Sequence, residues 1–220
     1  MADQASDSEP GFAALRHRMV ETQIERRGIT APDVLNAMRR VPRHEFVAET
    51  LRGQAYADHP LPIGHDQTIS QPFIVGSMTQ ELRLTPHSRV LEIGAGCGYQ
   101  TAVLAEIVEH VFSIEVIPEL VNKADERLRR LGYRNVSLKL GDGSHGWLDQ
   151  APFDGILVAA AAYRLPEAWT DQLAEGGRLI LPLVSGDGYN QDLVLYHKVS
   201  GELTRRILYG VRFVPLYGSE

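Results

Sequence analysis

The sequence contains little cysteine, no excess of basic residues and no long hydrophobic run. Its single cysteine, Cys97, excludes an internal disulfide and a thiolate zinc cluster, and it favours a reducing compartment, so we expect a cytoplasmic protein. Lys and Arg number 22 against 28 Asp and Glu, and the resulting net charge of -6 lacks the field that binding to a phosphate backbone requires. The longest apolar stretch, near residues 156–163, is far shorter than the ~20 residues of a membrane-spanning helix. We therefore expect neither a nucleic-acid partner nor a membrane.

The composition is otherwise that of an ordinary folded protein. Hydrophobic residues make up 44% and charged residues 23% of the 220 residues, which argues against a disordered or collagen-like chain. Residues 1–10 are acidic and polar, unlike a secretory signal, and are predicted to form a flexible tail. Residues 11–220 are predicted to form one domain, with a helical extension and a loop in 11–88 and the core in 89–220.

The first part of the chain has a helical hydrophobic period. Apolar residues recur at helical spacing from Phe12 to Met19, and Thr30, followed by a proline and by Asp33, predicts a second helix that begins with a hydroxyl cap. The segment 54–72 contains three prolines and keeps neither the helical nor the strand period. It is predicted to be an ordered surface loop, a place where functional residues are often found.

The second part of the chain alternates short apolar runs with helical patterns. Strands are predicted at 89–93, 110–114, 136–140, 155–158 and 178–183, with helices at 101–108, 118–131 and 167–173. This alternation is typical of crossover units in a parallel sheet, and segments 192–199 and 207–215 are predicted to form an antiparallel pair at one end. The predicted fold is α/β: a doubly wound, mostly parallel seven-stranded sheet with an N-terminal helical extension.

Polar residues and glycines follow three of the predicted strands, at the sheet edge where ligands bind in such folds. Gly94 and Gly96 form a glycine-rich turn that allows a ligand to approach the backbone closely. Glu115 follows the next strand and can accept hydrogen bonds from ribose hydroxyls, and Asp142 follows the third and can accept one from an exocyclic amine. Each feature is weak alone, but together they predict a nucleoside-type cofactor.

The spacing of the glycines distinguishes between cofactors. The dinucleotide fingerprint G-x-G-x-x-G needs glycine at position 99, where this chain has Tyr99. The spacing G-x-G-x-G, with Glu92 two residues before the first glycine, instead resembles motif I of the class I S-adenosylmethionine-dependent methyltransferases. That resemblance implies a Rossmann-like fold and S-adenosylmethionine as the cofactor, and it leaves a nicotinamide cofactor as a minor alternative.

Further stretches carry a more specific resemblance over nearly the whole chain. They are Met-Val-Glu-Thr-Gln-Ile at 19–24, Val-Pro-Arg-His-Glu-Phe-Val at 41–47, Thr-Ile-Ser-Gln-Pro at 68–72 and Gly-Val-Arg-Phe-Val-Pro-Leu at 210–216. These stretches resemble the protein-L-isoaspartate O-methyltransferase family. The resemblance implies repair of damaged proteins by methyl transfer to the α-carboxylate of L-isoaspartyl residues, and of D-aspartyl residues in some members. The methyl ester then collapses to a succinimide.

The family's functional positions can be carried over to matching residues. The resemblance places Ser70 beside both ligands, with its hydroxyl donating to the acceptor carboxylate, as the catalytic residue. The implied cofactor contacts are Thr68, Ile69, Ser70, Glu92, Gly94, Gly96, Glu115, Asp142 and Gly143. A carboxylate with an ordinary pKa near 4 is already ionised at neutral pH, so the reaction needs alignment of the reactants but no catalytic base.

The pairs Asp58-His59 and His65-Asp66 contain metal-binding residue types. They lack a helical i, i+4 pair, so we expect no metal and interpret them as loop groups that shape the substrate entrance. Cys97 is interpreted either as a low-pKa thiolate or, more simply, as a small residue.

Two positions depart from the family pattern. Tyr163 stands where the family usually has proline, and Tyr217 where it usually has threonine. These departures leave open a specialised peptide or small-molecule acceptor on the same scaffold, and a cofactor-binding relative without catalysis. The expected partners are isoaspartyl-containing proteins and peptides, and the chain is expected to act as a monomer.

Overall fold

A computed structural model describes residues 9–186 and 188–217. The α-helices are α1 (Glu9–Met19), α2 (Pro32–Arg40), α3 (Pro72–Leu82), α4 (Tyr99–Ala105), α5 (Pro118–Arg130) and α6 (Glu167–Asp171). The strands are β1 (Leu61–Gly64), β2 (Gln67–Ile69), β3 (Arg89–Ile93), β4 (His110–Glu115), β5 (Val136–Leu140), β6 (Phe153–Val158), β7 (Leu173–Val184), β8 (Gln191–Val199) and β9 (Glu202–Val211). A π-helix (Val20–Ile24) extends α1, and short 3-10 helices lie at Glu25–Arg27, Arg43–Phe46, Glu49–Gln54, Gly143–His145 and Leu148–Gln150. Of the predicted tail, residues 1–8 lie outside the described residues, and residues 9 and 10 belong to α1.

The main sheet has seven strands in the order β5-β4-β3-β6-β7-β8-β9. Strands β5, β4, β3, β6 and β7 pair in parallel, whereas β8 and β9 continue the sheet as antiparallel neighbours. The predicted mostly parallel, seven-stranded α/β fold is therefore confirmed, with the antiparallel pair at one end.

Both faces of the central part of the sheet are buried. Val90 and Leu157 pack on the face that the N-terminal helices cover, whereas their neighbours Leu91 and Ile156 pack on the opposite face with Trp169. Burial on both faces explains why the central parallel strands β6 and β7 contain continuous apolar runs, at 156–158 and 179–181, instead of alternating ones. None of the described helices combines the length and the apolar character needed to cross a lipid bilayer.

The segment predicted as a surface loop contains a hairpin. Strands β1 and β2 pair antiparallel, and the turn between them consists of His65 and Asp66, whose φ angles are 54° and 55°. Two consecutive left-handed residues are the geometry of a type I′ turn, which Asn-Gly sequences usually signal. Because that signal is absent, the prediction missed the hairpin.

Several element boundaries also differ from the prediction. Helix α2 has Ala31, not Thr30, at its N-cap, and no side-chain hydroxyl caps it. Instead, the amide oxygen of Gln80 accepts hydrogen bonds from the backbone N–H groups of both residues, at 2.7 and 2.9 Å. Strand β9 ends at Val211, so the last part of the predicted strand 207–215 lies outside the sheet.

Candidate active site

A cleft of about 1330 Å³ lies at the carboxyl ends of the parallel strands. Its walls come from the hairpin, from the glycine-rich turn after β3, from the ends of β4 and β5, and from the segment that follows β9. The predicted site residues that line it are Thr68, Ile69, Ser70, Gly94, Gly96, Glu115 and Gly143. Glu92 and Asp142 are not among the residues that line it.

The glycine-rich turn is held against the neighbouring strand. The N–H of Gly94 donates to the carbonyl of Ile114 at 2.8 Å, and the N–H of Gly96 donates to the carboxylate of Glu115 at 2.8 Å. Gly96 has a φ of 54°, and a Cβ at this position would lie 3.3 Å from Ile63 on the hairpin. A side chain here would therefore press on the hairpin from within the cleft.

Glu115 is fixed by backbone donors on both carboxylate oxygens. Oε1 accepts from the N–H groups of Val116 and Ile117 at 2.9 and 3.0 Å, and Oε2 accepts from Gly96. The side chain is only 6% exposed, yet it lines the cleft. Since each oxygen can accept about two hydrogen bonds, Oε2 retains room for a ligand hydroxyl.

Glu92 lies beneath the turn and not in the cleft. Glu92 is fully buried, and its Oε2 accepts hydrogen bonds from the hydroxyls of Thr101 in α4 and Ser113 in β4 at 2.5 and 2.6 Å. Burial raises the pKa of Glu92 to about 7, against the opposing effect of the two hydroxyl donors. The predicted direct contact with the cofactor is therefore not supported, and Glu92 instead links β3 to α4 and β4.

Asp142 fixes the backbone beside the cleft, and its side chain is 35% exposed. Its Oδ1 accepts from the N–H of Ser144 at 2.8 Å and caps the short 3-10 helix that follows β5. The next residue, Gly143, lines the cleft, and its carbonyl accepts from the indole N–H of Trp169 at 2.8 Å. These two hydrogen bonds fix the backbone that faces the cleft.

The end of the hairpin brings Ser70 to the cleft. Ile69 is buried, Thr68 is exposed and Ser70 is half-buried, so the hairpin turns from the core to the surface over these residues. Within the part of the chain that the structure describes, the Ser70 hydroxyl has no hydrogen-bond partner and is available to a ligand. Ser70 and the glycine-rich turn line the same cleft.

The histidine and aspartate pairs serve the hairpin itself. Both carboxylate oxygens of Asp58 are used, one by Gln71 at 2.9 Å and the other by Arg27 at 3.0 Å. His65 and Asp66 form the hairpin turn. Over residues 9–186 and 188–217, no cluster of three or more His, Cys, Asp or Glu side chains is arranged to hold a metal ion.

Residues 212–217 form a further wall of the cleft, which the sequence does not predict as one surface. The side-chain amide of Gln191 donates to the carbonyl of Phe213 at 3.0 Å and accepts from its N–H at 2.7 Å. Ala161 donates to the carbonyl of Val214 and accepts from the N–H of Leu216, both at 2.8 Å. These bonds hold residues 212–217 across the end of β6, where they line the cleft. The sequence signal was the stretch 210–216, which the family resemblance had already singled out.

The structure distinguishes between the interpretations of Cys97 and between the two tyrosines that depart from the family pattern. Cys97 is buried in the cleft wall, and burial raises the pKa of its thiol, so the reading as a low-pKa thiolate is wrong. Tyr217 lines the cleft and is 57% exposed, whereas Tyr163 is 62% exposed and lies outside it. Of the two departures from the family pattern, Tyr217 is therefore the one placed to affect the acceptor.

A mostly parallel seven-stranded sheet with antiparallel strands at one end and a glycine-rich turn after its first parallel strand is the fold of the class I methyltransferases, as the superpositions below show. The chain belongs to the protein-L-isoaspartate(D-aspartate) O-methyltransferase family, whose sequence model matches residues 14–220. The family resemblance seen in the sequence is thus confirmed.

Individual relatives agree with this assignment. The chain is 54% identical to protein-L-isoaspartate O-methyltransferase 1 of Syntrophobacter fumaroxidans, over 94% of this chain and 96% of that protein. A solved protein-L-isoaspartate O-methyltransferase superposes with a TM-score of 0.86 at 29% identity, over 93% of this chain and 66% of that one. A second, from Plasmodium falciparum and in complex with S-adenosyl-L-homocysteine, superposes with a TM-score of 0.79 at 31% identity, over 91% and 97% of the two chains.

Proposed function

We propose that this chain transfers a methyl group from S-adenosylmethionine to the free α-carboxylate of L-isoaspartyl residues in damaged proteins. The observation that carries the proposal is the composition of the one cleft. It joins a glycine-rich turn bonded to Glu115, as a nucleoside site requires, to the unpartnered hydroxyl of Ser70, as a carboxylate acceptor requires. Family membership restricts the reaction to this acceptor class.

The residues of the cleft fit the adenosyl cofactor. Gly94 and Gly96 face the cleft without side chains, and Glu115 has acceptor capacity left for a ribose hydroxyl. The volume of about 1330 Å³ exceeds the roughly 300–1000 Å³ typical of small-molecule sites, which leaves space for a peptide segment beside the cofactor. When bound, the cofactor supplies an electrophilic methyl group.

We assign the other predicted contacts by their place in the wall. Thr68, Ile69 and Gly143 line the cleft and would contact the cofactor directly. Glu92 would act by tying β3 to the hydroxyls of Thr101 and Ser113, and Asp142 by fixing the backbone N–H of Ser144.

The chain's task in this reaction is alignment. An α-carboxylate is ionised at neutral pH, so no residue has to remove its proton. The Ser70 hydroxyl would donate to one oxygen of the acceptor and orient the other for attack. Holding reactants in such a geometry, in a site that excludes water, can lower a barrier by several kcal/mol, roughly 7–11 in the best cases.

Features of the whole chain support proposals about its domain organisation, its substrates and its location. Residues 11–220 would work as one domain, because the N-terminal helices and the sheet share a hydrophobic cluster. The net charge of -6 supports protein substrates over nucleic acid. The single buried cysteine supports a cytoplasmic location.

The experiment is methyl transfer to three synthetic peptides of one sequence that differ only in an L-aspartyl, L-isoaspartyl or D-aspartyl residue. With labelled S-adenosylmethionine, we expect base-labile label on the L-isoaspartyl peptide and none on the L-aspartyl peptide. The D-aspartyl peptide measures the breadth of the acceptor site. Equal labelling of the two L-peptides would contradict the proposal.

The same assay separates the alternatives. Saturable binding of S-adenosylhomocysteine without labelling of any peptide would identify a cofactor-binding protein without this activity. Label on an unrelated small carboxylic acid, but not on the L-isoaspartyl peptide, would identify a specialised acceptor.

A further inference from the structure

Arg43 is a buried cation that contacts the backbone of Ser70. It belongs to the 41–47 stretch that carried the family resemblance, and the residue is 0% exposed. Its Nε donates to the carbonyl of Ala55 at 2.7 Å, and its Nη2 donates to the carbonyl of Ser70 at 2.8 Å. The guanidinium carbon lies 4.8 Å from the ring centre of Tyr99, the first residue of α4.

Burying the guanidinium of Arg43 without a carboxylate partner lowers the stability of the folded protein. Buried charges are normally paired, yet in the described part of the chain no carboxylate lies within ion-pair distance of Arg43. Its Nη1 is buried without a hydrogen-bond partner. Burial lowers the pKa of Arg43, but a guanidinium still stays charged at neutral pH. Two neutral carbonyls and an aromatic ring thus hold a full charge in the interior.

The contacts of Arg43 connect the two halves of the site. Ser70 stands at the end of the hairpin wall, and Tyr99 begins the helix that follows the glycine-rich turn. One planar side chain therefore fixes the backbone of the acceptor-binding residue relative to the cofactor-binding turn. A planar fork with several fixed donors can hold two carbonyls and a ring at once, which an ammonium group cannot do.

We propose that Arg43 is a positioning residue that sets the Ser70 hydroxyl against the acceptor carboxylate by holding the Ser70 carbonyl. This inference rests on the proposed function. A displacement of the reacting groups by about 1 Å can cost about 100-fold in rate, so loss of this contact affects turnover more than binding. The cofactor side keeps its own bonds between Gly96 and Glu115.

The test compares Arg43→Lys with a matched control, Arg16→Lys. Arg16 is also a buried guanidinium, bonded through Nε to the carbonyl of Arg39 at 2.8 Å and through Nη1 to the hydroxyl of Tyr56 at 3.2 Å, but it does not contact Ser70. Turnover of the isoaspartyl peptide is measured per S-adenosylhomocysteine-binding site, so that loss of folded protein does not count as loss of activity. For Arg43→Lys we expect kcat to fall about tenfold or more, with cofactor-product affinity within about threefold. For Arg16→Lys we expect an unchanged kcat.

A double-mutant cycle with Ser70→Ala separates positioning from a general structural effect. If Arg43 acts through Ser70, Arg43→Lys lowers kcat by less than about twofold when Ser70 is already alanine. The same fold loss in both backgrounds overturns the proposal, as does a wild-type kcat in Arg43→Lys. If wild-type protein fails to methylate the peptide, the proposed function itself fails and this inference falls with it.

Should Arg43→Lys bind no cofactor product, the wild-type protein still decides the matter. The ¹⁵N guanidinium NMR signals of Arg43 are recorded with S-adenosylhomocysteine, before and after addition of the isoaspartyl peptide. We expect them to shift in the wild type, and to shift less in Ser70→Ala. Signals that do not respond to the peptide overturn the proposal.

Discussion

The backbone N–H of Gly96 donates to the carboxylate of Glu115 at 2.8 Å. This bond joins the turn after β3 to the end of β4, so the residue that can hold a ribose also sets the shape of the glycine-rich turn. Glu115 is in turn fixed by the N–H groups of Val116 and Ile117. Three backbone donors give the carboxylate its orientation before any ligand binds, which is the preorganisation that a nucleoside site needs.

Glu115→Gln tests this relationship. The amide has one acceptor oxygen, so its NH₂ group must face either Gly96 or the Val116 and Ile117 amides. We expect S-adenosylhomocysteine to bind about tenfold or more weakly in calorimetry, because a hydrogen bond from a ribose hydroxyl to a charged acceptor contributes about 1.5–3 kcal/mol and the neutral amide is a weaker acceptor. Asp125→Asn, which removes an exposed carboxylate paired with Arg129, is the control and should bind normally. Affinity within twofold of the wild type in Glu115→Gln would contradict the assignment.

Ser70→Ala tests the acceptor side. The hydroxyl has no partner in the described structure, so its removal leaves no protein group unsatisfied and should not disturb the fold. We expect S-adenosylhomocysteine affinity to be nearly unchanged and kcat on an isoaspartyl peptide to fall about tenfold or more, because the lost bond acts on the reacting carboxylate. Unchanged turnover would remove Ser70 from the mechanism.

Gly143→Ala tests how closely the cleft wall approaches the sheet. A Cβ at Gly143 would lie 2.4 Å from Cγ2 of Ile93, a β-branched side chain that is 1% exposed. We expect the free energy of unfolding in urea to fall by about 1–3 kcal/mol. Gly53→Ala is the matched control, because a Cβ there meets nothing within 4 Å, and its stability should be unchanged or slightly higher. Equal stability of the two variants would show that the wall can move aside.

The buried carboxyl of Glu92 predicts a specific pH dependence. Burial raises its pKa from the usual 4.5 to about 7 in the folded protein. Below about pH 4.5 the group is protonated in both folded and unfolded chains, and between pH 4.5 and 7 only the unfolded chain releases the proton. This group therefore lowers the free energy of unfolding as pH rises through that window, by at most about 1.4 kcal/mol per pH unit, and has no further effect above it.

Glu92→Gln lacks this titration. We expect its stability relative to the wild type, measured by urea unfolding at a series of pH values, to increase from pH 5 to pH 7 and then to level off. A stability difference that does not change with pH would mean that Glu92 is ionised in the folded protein at pH 5.

The sequence predicted the sheet and its ligand-binding edge well because the physics there is local. Apolar runs such as 156–158 are continuous because both faces of the central sheet are buried, and Gly94 and Glu115 directly follow the strand patterns at 89–93 and 110–114. The sequence therefore places Gly96 and Glu115 at the same edge of the sheet, where the structure bonds them to each other.

Features that depend on distant partners were not predictable in this way. The hairpin turn at His65 and Asp66 has no glycine or asparagine to signal it. Glu92 accepts hydrogen bonds from Thr101 and Ser113, which lie 9 and 21 residues away in the sequence. The sequence therefore suggests that Glu92 contacts a ligand, whereas the fold pairs it with two buried hydroxyls. Arg43 reaches Ser70 across 27 residues, and only the folded chain brings the two together.

The most direct measurement is a crystal structure of the protein with S-adenosylhomocysteine and an isoaspartyl peptide. We predict that the nucleoside lies between Gly96 and Glu115, and that the Ser70 hydroxyl lies within about 3 Å of an oxygen of the peptide's free α-carboxylate. A cofactor product bound elsewhere, or a Ser70 hydroxyl more than about 10 Å from that carboxylate, beyond any hydrogen bond, would contradict the proposed function.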